Sequence, residues 1–267
     1  MTRKTIEFKT TSACPEPWKL SAAKKYADEL LAPDLASRQL RLREGPNWMR
    51  IVPALQGSPS SWMHGIHALS TPTGRWCHPR TSTSGARSVW DEVYSHLHQT
   101  APDKLFSRAN RDGLRLLPDP HSLCWVVVRE EAEDDSPLAL RLLILSGYSG
   151  NRGGSPGLGQ QLLAMAGERD ENGDLMHRIA GAEDGVQVNI EKIVSKESKF
   201  ARYLIRAGRT PAPISGYLDR LPPEEVEILR PLDQVIRRMS EEEQWERLTR
   251  LMPQAEVDSL RHEIEAR

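Results

Sequence analysis

Apolar and polar residues alternate through the middle of this chain, and that period of two predicts strands. Residues 39–43 put Leu40 and Leu42 on one face and Arg41 and Arg43 on the other. After the turn signal Gly45-Pro46-Asn47, residues 48–52 alternate again, with Met49 and Ile51 inward and Trp48 and Arg50 outward. Residues 62–69 and 74–78 read as a third and a fourth strand. The apolar runs 123–129 and 138–145 flank an acidic stretch, 130–135, followed by Ser136-Pro137, which predicts an antiparallel pair. Residues 186–194 and 200–207 make a second hairpin pattern around the polar turn 195–199, and Thr210-Pro211-Ala212-Pro213 ends it.

Helical spacing appears elsewhere. Residues 21–31 predict a short helix with Ser21 as N-cap, and 88–97 and 158–167 predict two more. The last fifty residues change period. Pro222-Pro223-Glu224-Glu225 starts a helix that Pro231 must break. Ser240-Glu241-Glu242-Glu243 forms a capping box before Trp245, Leu248 and Leu251, and 254–267 predict a final helix. The organisation expected is an arm with a short helix over 1–37, a mainly β core over 38–217 and an acidic helical region over 218–267. Many short strands with helical additions suggest a small barrel with insertions.

Charge changes this picture only when it is divided. The 267 residues carry a formal net charge of −1, but residues 218–267 hold 13 acidic and 8 basic residues, leaving 24 acidic and 28 basic for the rest. Local charge decides affinity for nucleic acid, so the near-neutral total excludes nothing. The three cysteines, Cys14, Cys77 and Cys124, are widely spaced and odd in number, which argues against a disulfide framework and for a reducing cytoplasm. No run of apolar residues is long enough to span a membrane, and none follows the basic N-terminus as a signal core.

The candidate chemistry lies on the outward strand faces. Arg41, Arg43, Trp48 and Arg50 share one surface; Trp125 alternates with Val127 and Arg129. Phe200, Arg202, Leu204 and Arg206 share a face with Tyr203 on the other, and Lys192, Lys196 and Lys199 flank the turn. Cations that follow phosphates, with rings that stack on bases, are what a single strand needs. The expected phosphate contacts are Arg41, Arg43, Arg50, Lys192, Arg202 and Arg206. The expected stacking rings are Trp48, Trp125 and Tyr203, then Trp76 and Phe200. His64, His67, Cys77 and His78 are possible metal ligands. They contain no CxxC, and neighbours such as Cys77 and His78 point to opposite faces. No HExxH or P-loop occurs, and the glycines at 153, 154, 157 and 159 read as a loop rather than a catalytic motif, so no enzyme is expected.

The order of these features resembles the single-stranded-DNA-binding, helix-destabilising proteins of T-even bacteriophages. "LRLREGPNWMRIVP" (40–53) looks like their opening strand pair, and "WMHGIHALSTPTGRWCHPRT" (62–81) occupies the place of the next hairpin. "LCWVVVREEAEDDSPLALRLLILS" (123–146) resembles their central hairpin with its acidic tip, and "GVQVNIEKIVSKESKFARYLIRAGRTPAPI" (185–214) their closing hairpin. The resemblance covers about residues 38–215. It implies an OB-fold, a five-stranded Greek-key barrel, that binds single-stranded DNA without sequence preference in replication, recombination or repair. It also implies cooperative self-association, contacts with replication or recombination proteins, and a bacterial host cytoplasm. Relatives hold zinc with one histidine and three cysteines. His64 and Cys77 match two of those positions, but the expected CxxC falls at Arg87 and Trp90, so loss of the metal is expected, with Trp90 and Val93 packing in its place. Arg3-Lys4-Thr5 matches the family's protomer-contact cluster, while the C-terminus is helical rather than a tail. Two alternatives stand beside this reading. One is a scaffold acting through the C-terminal helices; the other is a metal-dependent nuclease using His64, His67, Cys77 and His78.

Overall fold

Residues 123–128, Leu-Cys-Trp-Val-Val-Val, are apolar at every position, the pattern of a strand covered on both faces. In the structure, a computed structural model, they form the middle of the longest strand. The structure describes residues 29–55, 61–71, 74–81, 88–107, 110, 112–129, 136–146, 157–194 and 201–266. Seven strands make one sheet: β1 Trp48–Ile51, β2 His64–Thr71, β3 Gly74–Cys77, β4 Asp119–Arg129, β5 Leu138–Ser146, β6 Val186–Ile193 and β7 Arg202–Pro211. Their paired neighbours are all antiparallel.

β4 organises the sheet because each of its edges is used. One edge pairs with β5 from His121↔Ser146 to Arg129↔Leu138. The other edge is divided. Its first half pairs with β2, and its second half with β1 through Met49↔Val128, Arg50↔Val127 and Ile51↔Val126. The sheet therefore forks: β2 leads to β3, and β1 leads to β6 and β7. Where the sequence predicts a closed Greek-key barrel, the described strands form an open sheet, with no ladder joining β3, β5 or β7 to one another.

Both faces of β4 are buried. Leu123, Trp125 and Val127 join Leu140 and Leu142 under Leu30, Leu31, Leu35, Leu232, Val235 and Ile236. Cys124, Val126 and Val128 pack on the other face with Met49, Ile51, Val188 and Ile190, under Leu158 and Leu162 of a helix, Leu158–Gly167. A third cluster joins Leu69 of β2 and Trp76 of β3 to helix α1, Val89–Thr100. The helix Leu158–Gly167 is α2. The C-terminal α3 Ser215–Leu218, α4 Pro223–Glu227, α5 Glu241–Leu248 and α6 Gln254–Glu265 follow. Trp245, Leu248, Val257 and Leu260 pack in the third cluster, so the last fifty residues share its core. No helix among the described residues is long and apolar enough to cross a membrane.

Most predicted elements appear near their predicted positions, and Ser240 and Glu243 complete the capping box of α5. Two do not. Residues 39–43 keep the predicted alternation, with Leu40 and Leu42 half-buried and Arg41 and Arg43 exposed, yet close only the bridge Gln39↔Leu142. Both edges of β1 are already occupied by β4 and β6. The end of the predicted helix 21–31 is extended: Glu29 bridges Trp76 and Leu31 bridges Ile236, and residues 21–28 lie outside the described set.

Arg50 fastens later chain segments onto β1. It is fully buried. Its guanidinium donates through Nε to the Ala212 carbonyl at 2.6 Å, and through Nη1 to Ile51 at 2.6 Å and Ile179 at 3.1 Å. Nη2 donates to the Gly181 carbonyl. Burial pulls its pKa below the ordinary arginine value, and carbonyl dipoles take the place of water around the charge. The surrounding space is full: a Cβ on Gly185 would run into the guanidinium and the Gly181 carbonyl.

Removing the guanidinium leaves buried carbonyls without donors, at about 1–3 kcal/mol for each unsatisfied group. Arg50→Met is expected to lower stability by roughly 3 kcal/mol, read as a lower urea midpoint. Gly185→Ala is expected to move the midpoint the same way by about 1–3 kcal/mol through overpacking. A separate measurement addresses the buried thiols. Burial pushes Cys77 up to about 11 and Cys124 up to about 12, so both are neutral thiols at pH 8. Neither is expected to react with Ellman's reagent in the folded protein, and both are expected to react in denaturant.

Candidate nucleic-acid interface

The fork in the sheet carries β1, β6 and β7 away from the covered part of β4 as a three-stranded wing. Its base is held by Asn47, which follows a turn where Gly45 takes a φ of +87°, the left-handed region that favours glycine. Asn47 Oδ1 accepts from the Arg43 N–H at 2.9 Å, and its Nδ2 donates to the carbonyls of Arg43, Gly45 and Ile190, each at 2.9 Å. Gly45 and Lys192 exchange backbone hydrogen bonds at 2.8 and 2.9 Å.

Register decides what shares the wing's outer face. Trp48 lies opposite Asn189, and Asn189 lies opposite Arg206. Continuing the β1–β4 register by one residue sets Trp48 across from Arg129. Residues opposite one another in antiparallel strands project to the same side, with Cβ atoms about 4.5–5.5 Å apart. One row across the wing therefore reads Arg129, Trp48, Asn189, Arg206. Leu204 opposite Glu191 and Arg202 opposite Ile193 form the next rows on that face.

The face is open. Trp48 is 49% exposed, and Leu204 and Ile193, two and four residues further along the same face, are also exposed. Arg202 is exposed, and Arg206 approaches Glu191 at 3.6 Å with much of its side chain in water. An exposed pair of this kind contributes little stability, so the guanidinium can exchange it for an incoming anion. Arg43 is also exposed, and its Nη2 donates to the Arg129 carbonyl at 3.2 Å, which holds it at the Arg129 end of the row. The arrangement can offer a ring for stacking, apolar contact area and cations on either side.

The structure brings together Trp48, Arg202 and Arg206 from the predicted site, with Arg43 at the edge and Arg41 exposed in the preceding segment. Other predicted contacts lie elsewhere. Arg50 is on the same side of β1 as Trp48, but Ile179, Gly181 and Ala212 cover it, so it faces carbonyls rather than solvent. Trp125 is buried on β4 and donates through Nε1 to the Arg230 carbonyl at 2.9 Å. Trp76 is buried against Trp90, ring centroids 5.9 Å apart. Lys192 and Tyr203 sit opposite each other on the inner face of the wing. Lys192 Nζ donates to the Leu42 carbonyl at 3.2 Å, and Tyr203 packs on the core. Phe200, Lys196, Lys199, Arg3 and Lys4 lie outside the described residues.

The metal candidates are dispersed. Cys77 pairs with Ala68, four residues along β2 from His64, a separation of about 13 Å at strand rise. That span exceeds what two ligands bound at about 2.0–2.3 Å can share. His64 is half-buried, and burial lowers its pKa while Asp233 opposes the shift. The His67 backbone N–H donates to Thr81 Oγ1 at 2.7 Å. His78 is buried between Ser88 Oγ at 3.1 Å and Asp91 at 3.5 Å, with its ring against Trp90. Trp90 and Val93 are fully buried in the third cluster. No group of three or more His, Cys, Asp or Glu side chains among the described residues is placed to hold a metal ion.

Sequence reasoning passed over Asn189. The available signal was a polar residue inside the apolar strand Val186–Ile193, where asparagine is disfavoured. A scan against models of known protein families finds no match. A search of curated proteins finds none either.

Proposed function

We propose that this chain binds single-stranded DNA on the outer face of the β1–β6–β7 wing, with no covalent step. The observation that carries the reading is the half-exposed Trp48 in one row with Arg129 and Arg206. An indole of that kind offers its face to an unpaired base, which duplex DNA keeps stacked, while arginines on both sides meet the phosphates. The apolar surface of Leu204 and Ile193 extends the contact. The likeness to T-even helix-destabilising proteins points the same way. An OB-type barrel also presents a strand face to an oligonucleotide, and this wing offers such a surface without needing closure. Binding the unpaired strand draws duplex open by mass action, in the setting of replication, recombination or repair.

The test is a fluorescence titration with oligo-dT against duplex DNA of equal length. Trp48→Ala is expected to weaken oligo-dT binding about five- to hundredfold, from a stacking contribution of about 1–3 kcal/mol, and to remove most of the quenching. Arg202→Gln and Arg206→Gln are each expected to reduce the slope of log affinity against log salt by about 0.7. Equal affinity for duplex, or an affinity indifferent to salt, would overturn the reading.

A further inference from the structure

We infer that the free edge of β7 docks an extended, acidic segment of a partner protein by strand addition. The sheet ends in three edges, β3, β5 and β7. Extended chain preceding β1 lies on two of them. The Glu29 N–H donates to the Arg75 carbonyl at 2.9 Å beside β3, and the Leu40 N–H donates to the Leu142 carbonyl at 2.8 Å beside β5. β7 carries no such bridge among the described residues. Ladder geometry fixes which of its backbone groups are left over. The Ile190 N–H donates to the Asn47 carbonyl at 3.0 Å, and Lys192 and Gly45 exchange bonds, so these residues of β6 face away from β7. Asn189, Glu191 and Ile193 therefore bond to their partners Arg206, Leu204 and Arg202. The alternate residues of β7, Tyr203, Ile205 and Ala207, turn their N–H and C=O groups outward. Among the described residues, nothing bonds to those groups.

What the edge fits follows from its side chains. β7 holds Arg202, Arg206 and Arg209, all exposed, and no carboxylate. Arg202 and Arg209 have no ion-pair partner among the described residues, and Arg206 has the open contact with Glu191. Arginines guard an edge against copies of itself, because a second β7 would add three more to the three present. An acidic strand reverses the sign of the same interaction: opposite charges on facing strands attract, and like charges repel. Between Arg202 and Arg206 the edge is apolar, with Tyr203, Leu204 and Ile205. The matching segment therefore sets carboxylates opposite the two arginines and β-branched residues opposite the stretch between them. Main-chain hydrogen bonds supply the attachment, and side chains supply the selection. The contact uses backbone groups in the plane of the sheet, so it stands independently of the single-strand reading of the outer face.

The probe is a capped peptide, Thr-Glu-Val-Val-Val-Glu-Thr, added to the full chain, with Thr-Lys-Val-Val-Val-Lys-Thr as its control. Hydrogen exchange at the amides of Tyr203, Ile205 and Ala207 is followed by NMR. These amides are expected to exchange quickly in the free chain and at least about tenfold more slowly under saturating acidic peptide. The acidic peptide is expected to bind about tenfold more tightly than the lysine control, and the double variant Arg202→Glu, Arg206→Glu to invert that order. Ile205→Pro deletes one outward N–H and no bond to β6, so it is expected to weaken the acidic peptide by about tenfold. The charge reversal carries the test if the proline variant does not fold. Exchange at those amides that the acidic peptide leaves unchanged overturns strand addition. Equal affinity for the two peptides overturns the acidic partner. Protection of the same amides in the chain alone, rising with protein concentration, assigns the edge to a second copy and overturns the proposal as well.

Discussion

The edge of β4 is the constraint on which the rest of the architecture depends. An eleven-residue strand has more hydrogen-bonding edge than β1 or β2 can cover alone, so the two divide it. Backbone groups left unpaired in an apolar core would be costly, and the division satisfies them. It also sets the topology. Once β1 and β2 meet the same edge at different heights, the strands beyond them diverge, and β6 and β7 extend outward as a wing. Coverage of both faces of β4 accounts for its unbroken apolar sequence. At the wing's edge β7 has only one covered face, and it accordingly alternates exposed Arg202, Leu204 and Arg206 with half-buried Tyr203 and Ile205.

Arg50 marks where the covered surface ends and the open one begins. A cation in the interior needs dense polar coordination, and here the coordination comes from carbonyls of segments near 179–181 and at 212. Those segments are held over the outer side of β1, two residues from Trp48. The same interaction that buries Arg50 therefore bounds the exposed face and leaves Trp48 at its margin.

The wing's chemistry is a balance of modest terms. In the proposed single-strand reading, stacking on one indole contributes about 1–3 kcal/mol, and each phosphate contact is weakened by salt. The Arg206–Glu191 pair is exposed and easily exchanged. In that reading, affinity comes from several residues acting in one row, so register matters more than any single side chain.

Much of the secondary structure was legible in the sequence, because period, capping and turn chemistry are local. The 158–167 helix, the Ser240 capping box, both long hairpins and the inward and outward sides of Trp48 and Met49 follow from neighbours in the chain. Alternation says which side of a strand a residue occupies, but not what covers that side. For Arg50 the cover comes from residues more than a hundred positions away, for Trp125 from Arg230 and the segment around Leu232, and for Trp76 from Trp90 and the C-terminal helices. Those arginines and tryptophans look alike in sequence. Only tertiary packing separated the buried Arg50, Trp76 and Trp125 from the exposed Trp48, Arg202 and Arg206, because burial is set by which distant segment finds each face.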